Sequence, residues 1–160
     1  MKNTLIKMLA TFFYSGCAPK APGTFGTLAA IPLWYMLAQF SILPYMVVVF
    51  ILAILGILVS QAYESVVQKH DSKEIVIDEV VGFLITMTWL PMTWQSLLLG
   101  FVLFRFFDIV KPPPIRQLDR KIPGGVGVMI DDIAAGIICN MILQLIYAQT
   151  SWLGAQTQTF

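Results

Sequence analysis

Charge, histidine and cysteine are all scarce in this 160-residue chain, and each shortage removes a class of chemistry. Charged residues make up 12% of the sequence, about half the share usual in soluble domains. The formal net charge of +1 provides no electrostatic footprint for nucleic acid, so no nucleic-acid partner is expected. A single histidine, His70, excludes a paired phosphohistidine route and reads as a solvated loop residue. With only Cys17 and Cys139, neither a disulfide framework nor a zinc cage has support. The Lys2 to Cys17 stretch has a superficial likeness to a lipoprotein signal, but Lys7 interrupts an apolar core too short for one.

What the chain has in excess is apolar surface, at 58% of residues. Apolar runs fall at about 27–43, 45–63, 80–93, 95–110 and 132–149, each near the lower length limit for a membrane-crossing helix. None alternates as a barrel strand does, and in lipid a helix satisfies its own backbone, so the expected fold is all-α. That gives a multi-pass helical membrane protein of about five short spans, forming a single domain over residues 1–160. Pro112 to Pro114 should end the fourth span, because proline cannot continue a helix. A soluble helical bundle with a large core remains the alternative, since Pro32 and Pro91 shorten two of the runs.

The charged residues set the orientation. They fall in the N-terminal segment, in 61–79 and in 105–132, whereas the alternate connections carry none. By the positive-inside rule, the side bearing Lys2, Lys7, Lys20, Lys69, Lys73, Arg105, Lys111, Arg116, Arg120 and Lys121 is cytoplasmic. Trp34, Trp89, Trp94 and Trp152 then read as an interfacial belt on the outer side.

Four short polar motifs sit on the cytoplasmic side: 18–27, 75–82, 105–111 and 124–136. Asp78 and Glu79 open the third span and Asp131 and Asp132 the fifth, where carboxylates suit a helix N-terminus. Capping needs one acid at each end, and two doubled pairs crowd like charges unless a cation neutralises them. Asp108 lies in the last turn of the fourth span, where the macrodipole disfavours an anion. Arg105 and Lys111, three residues to either side, allow a local ion network there, and that reading stands beside metal binding. An oxygen-only donor set points to Mg²⁺, or Mn²⁺, in preference to zinc.

The segment from Ala18 to Thr27 combines glycines, hydroxyls and a lysine just before a helix, so Lys20 and Thr24 are candidate phosphate contacts. A plain Pro-Gly turn with Thr27 as helix cap is the alternative. Gly124, Gly125 and Gly127 lack the context of a nucleotide-binding loop and read as a place of close backbone approach. Arg105, Lys111 and Arg116 can clamp phosphate oxygens, while Arg120 and Lys121 read as an anchor to anionic lipid. The non-enzymatic alternative, a small membrane transporter or channel with acidic gate residues, calls for acids at mid-span, and here they fall at span ends.

Four stretches, APKAPGTFGTLAAIPLWY, IVIDEVVGF, FRFFDIVKPPPIRQLDR and GGVGVMIDDIAAG, resemble the motifs of bacterial phosphatidylglycerophosphatase A. The resemblance covers most of Ala18 to Gly136. It implies a Mg²⁺-dependent phosphatase of the bacterial inner membrane, with its active site facing the cytoplasm. Its phospholipid substrate would be phosphatidylglycerophosphate, converted to phosphatidylglycerol and inorganic phosphate. By the same resemblance, Asp78, Glu79, Asp108, Asp131 and Asp132 are metal positions, with Asp78, Asp108 and Asp132 also catalytic. Arg105, Lys111 and Arg116 become phosphate contacts. Ser15-Gly16-Cys17-Ala18 departs from the family's usual Gly-Ser-Gly, which leaves Cys17 without a role.

Overall fold

Each apolar run contains a helix in the computed structural model, which describes residues 2–68, 72–113, 115–117, 122 and 124–154. His70, Pro114, Arg120 and Lys121 lie outside them. The order is α1 (Lys2–Ala10), a 3₁₀ turn (Ser15–Cys17), α2 (Pro22–Leu37), α3 (Ile42–Val67), α4 (Ile77–Thr86), α5 (Trp94–Val110) and α6 (Gly124–Gln149). No strand occurs among the described residues, as expected.

Among the described residues two helices, α3 and α6, are long and apolar enough to cross a membrane, in place of the five spans expected from sequence. Each has 26 residues, or about 39 Å of axis. The other three runs lose their ends to turns. Helices α2, α4 and α5 keep 16, 10 and 17 residues, roughly 24, 15 and 26 Å against a hydrocarbon core of about 30 Å. In the 80–93 run the helix stops at Thr86, and Trp89 turns the chain at a left-handed φ of 62°. Helix α5 stops at Val110, and Lys111 follows with φ 44° just ahead of Pro112.

Short as it is, α4 forms the centre of the molecule. Val80, Val81, Phe83 and Leu84 are fully buried, and Phe83 packs against Phe104 of α5 with ring centroids 6.3 Å apart. A helix that ends inside a packed core leaves carbonyls needing donors. Tyr45 of α3 donates its hydroxyl to the Leu84 carbonyl at 2.6 Å. On α6, Asn140 Nδ2 donates to the carbonyls of Thr86 (3.0 Å) and Thr88 (2.8 Å), and Gln144 Nε2 to those of Thr88 (3.0 Å) and Trp89 (3.2 Å).

The outer faces are apolar. Leu43, Val47, Phe50, Ile54 and Leu58 line the exposed side of α3, and Trp94, Leu98, Val102, Phe106 and Ile109 that of α5. Helix-long exposed apolar stripes of this kind fit a lipid or protein neighbour and not water. Trp89, Trp94 and Trp152 are exposed near the ends of α4, α5 and α6 away from the acidic residues. Trp34, expected in the same belt, is only 2% exposed because it faces the core.

Candidate active site

Three helices bring their acids to one end of the bundle. Asp78 and Glu79 occupy the first turn of α4, Asp108 the last turn of α5, and Asp131 and Asp132 the eighth and ninth positions of α6. The sequence reading placed Asp131 and Asp132 at a helix start. In fact α6 begins at Gly124, because Gly125 and Gly127 fit tightly against the carbonyls of Ile57 and Ile122 and extend the helix through the expected loop. Capping therefore does not account for the α6 pair. The α4 pair does sit at a helix start, but Asp78 Oδ1 and Glu79 Oε2 are buried with no hydrogen-bond partner among the described residues, which helix capping leaves unexplained.

Close helix approach makes the meeting possible. Gly82 lies one turn after Asp78, and Gly136 one turn after Asp132. A Cβ at Gly136 would collide with the Gly82 carbonyl, and one at Gly82 would come within 2.7 Å of the Asp132 carbonyl. Small residues at such a crossing let two backbones pack together. As a result, Asp78, Glu79 and Asp132 each present an oxygen within 4.8 Å of the others. All five expected acids line one pocket of about 280 Å³, together with Pro22, Gly23, Ser72, Lys73 and Lys111.

The cations divide between wall and rim. Arg105, with its side chain 14% exposed, stands behind the pocket wall: Nη1 lies 2.6 Å from Asp108 Oδ2 and 3.8 Å from Glu79 Oε1, and donates to Thr27 Oγ1 at 3.5 Å. Lys111 Nζ bonds Asp131 Oδ2 at 2.5 Å. The expected cluster of acids is thus present, and of the expected ion network around Asp108 the Arg105 half is, while Lys111 reaches across to Asp131 of α6. Gly23 completes the wall, since a Cβ there would strike the Glu79 carboxylate and meet both Arg105 Nη atoms at 3.0 Å. Lys20 and Thr24 from the same segment are absent from the pocket lining, as is Arg116, which is exposed and donates to the Val110 carbonyl at 3.3 Å.

Sequence reasoning singled out neither Lys73 nor Thr27 for the site. Lys73 looked like one more cytoplasmic cation, and Thr27 like a helix cap. Thr27 is instead fully buried, donating to the Gly23 carbonyl at 2.9 Å and accepting from Arg105. The available signal for Lys73 was its place five residues before Asp78 in a polar segment leading into the acidic helix.

Burial dominates the electrostatics. It raises the Asp78 carboxyl well above the usual carboxylate range, and the neighbouring negative charge of Glu79 raises it further. It also pushes Glu79 up to about 8, against the opposing effects of a hydrogen bond with Asp78 and the charge of Arg105. Five carboxylates beside Arg105, Lys111 and Lys73 leave an excess of two negative charges when all are ionised. An all-oxygen donor set, two buried oxygens without partners and that excess together fit a hard divalent cation.

The profile of the phosphatidylglycerophosphatase A family matches residues 8–147. Phosphatidylglycerophosphatase A of Escherichia coli K12 is 44% identical over 140 residues, covering 87% of this chain and 81% of the relative. The Haemophilus influenzae protein of the same name is 39% identical over 140 residues, covering 86% of each. A Bacteroides thetaiotaomicron protein, provisionally named as a phosphatidylinositol-3-phosphatase, is 36% identical over 145 residues, covering 85% of this chain and 89% of its own. No solved structure matches the chain at comparable significance.

Proposed function

Because the chain belongs to the phosphatidylglycerophosphatase A family, we propose that it hydrolyses the terminal phosphomonoester of phosphatidylglycerophosphate in a Mg²⁺-dependent reaction, releasing phosphatidylglycerol and inorganic phosphate. The observation that carries this reading is the meeting of Asp78, Glu79 and Asp132 oxygens within 4.8 Å, in a chain whose relatives bear that activity's name. We place the reaction at the cytoplasmic face of a bacterial inner membrane, within a single domain over residues 1–160. The apolar exteriors of α3 and α5 and the gathering of acids and bases at one end of the bundle support that placement.

Asp78, Glu79, Asp108, Asp131 and Asp132 are the residues that would hold the metal. A bound divalent cation would supply charge neutralisation and polarise the phosphoryl oxygens. Arg105 fixes the Asp108 and Glu79 carboxylates from behind, and Lys111 fixes Asp131. Asp78 or Asp132 orients the attacking water and takes its proton as the water oxygen bonds to phosphorus. The bond from phosphorus to the glycerol oxygen breaks, and that oxygen recovers a proton from the carboxyl group that received one. An attack by aspartate instead of water would leave an aspartyl-phosphate, which single-turnover trapping of ³²P on the protein detects.

The direct test uses purified protein in detergent with phosphatidylglycerophosphate. Phosphate release that needs Mg²⁺ and stops with chelator or with Asp108→Asn supports the reading. Absence of release under Mg²⁺, with ion flux across liposomes in its place, would return the chain to the transporter alternative.

A further inference from the structure

At the mouth of the pocket, Ser72, Lys73, Glu74 and Ile75 form a tight turn closed by the Ile75 amide donating to the Ser72 carbonyl at 2.8 Å. Its two central residues have different surroundings. Lys73 lines the pocket and is exposed. Glu74 is held by two other helices: its Oε2 accepts from the Tyr63 hydroxyl of α3 at 2.5 Å and lies 3.4 Å from Lys7 Nζ of α1. The backbone is pinned as well, with the Val76 amide donating to the Ala10 carbonyl at 3.0 Å and Gly16 pressed against the Glu74 carbonyl. The turn is therefore a fixed rim carrying one cation.

The deeper cations are already engaged, Arg105 with Asp108, Glu79 and Thr27, and Lys111 with Asp131. Lys73 makes no ion pair among the described residues, and it stands at the open end while Asp131 and Asp132 are 4% and 2% exposed. A headgroup whose terminal phosphate reaches the buried carboxylates leaves the rest of its polar chain at this mouth. Phosphatidylglycerophosphate carries a second anion there, the phosphodiester on the far side of its glycerol.

We propose that Lys73 binds the phosphodiester of a two-phosphate lipid and so sets headgroup selectivity, with Glu74 as its positioning residue. The inference rests on the phosphatase reading and adds what that reading lacks, a means of telling this lipid from a lipid with one phosphate. A charge-assisted contact at an exposed site is worth about tenfold in binding.

The test compares wild type with Lys73→Gln, Lys73→Arg and Glu74→Gln in mixed micelles. Lys73→Gln should raise KM for phosphatidylglycerophosphate about tenfold with kcat kept within about twofold, and Lys73→Arg should restore it. Phosphatidic acid offered as a competitor should inhibit wild type and Lys73→Gln equally, since it has no diester. Glu74→Gln should raise KM in the same direction and by less. An unchanged KM in Lys73→Gln, a fall in kcat alone, or an equal weakening of phosphatidic acid overturns the role of Lys73 and leaves the phosphatase reading standing. A wild-type protein that releases no phosphate overturns both.

Discussion

Gly136 of α6 lies directly against the carbonyl of Gly82 in α4, one turn below the two acids that these helices bring together, Asp132 and Asp78. The contact sets the distance between the carboxylates, because any side chain at Gly136 must push the helices apart. Gly136→Ala should therefore lower kcat about 100-fold, the cost of misplacing reacting groups by roughly 1 Å. Steady-state phosphate release alongside far-UV circular dichroism checks this, and unchanged kcat in a folded variant would contradict it.

Asp132→Asn and Asp78→Asn remove a carboxylate from the three-oxygen group while keeping its volume. Each should reduce kcat by about 10²-fold to 10⁴-fold, the range for loss of a general base or its equivalent. Isothermal titration with Mg²⁺ should show weakened binding in both variants. If the ion bound Asp132→Asn as it binds wild type, that carboxylate would not be a ligand.

Without a cation, the raised proton affinities of Asp78 and Glu79 couple stability to pH. Glu79 titrates near 8 in the folded chain and near its ordinary 4.5 when unfolded. Between those values the folded state holds a proton that the unfolded state has lost, so stability is full below about 4.5 and declines as pH rises through 8. Melting in detergent with chelator should accordingly occur at a lower temperature at pH 8.5 than at pH 6. Mg²⁺ should reverse the trend and release protons on binding near pH 7, because it favours the ionised carboxylates.

Arg105 was expected to grip substrate phosphate, yet its guanidinium is taken up by Asp108, Glu79 and Thr27 behind the wall. Arg105→Gln should lower kcat at least about tenfold with KM within about twofold, and destabilise the fold by roughly 3 kcal/mol through the buried carboxylates left without a counter-charge. A rise in KM at constant kcat would show that Arg105 touches the phosphate after all.

Asn140→Leu tests the interior end of α4. The substitution leaves the Thr86 carbonyl without the donor it has now and Thr88 with Gln144 alone. A loss of about 1–3 kcal/mol is expected, read as a lower melting temperature with kcat of the remaining folded enzyme unchanged.

The sequence made the helices, their common charged end and the five pocket acids legible, because buried carboxylates in an apolar chain have few other reasons to exist. It did not reveal how many helices are long enough to span. The 80–93 run is apolar throughout, but its second half turns at Trp89 while Asn140 and Gln144, more than fifty residues away, satisfy the freed carbonyls. Nor could it show that Gly124 to Gly127 is helical, since that depends on Ile57 and Gln61 of α3 accepting a side-chain-free surface. Arg105 and Lys73 bear the same charge, and only packing decides that one faces the wall and the other the mouth.

The acids of α6 begin at its eighth residue, so about 10 Å of helix axis separates them from its first. If α6 crosses a bilayer with its first residue at the level of the headgroups, that offset sets the acids beneath them. A reactive end on a flexible glycerol can bend down to such a depth once a divalent cation offsets the negative excess of the acids. Cleavage takes away the terminal phosphate, and with it the group that holds the lipid below the surface.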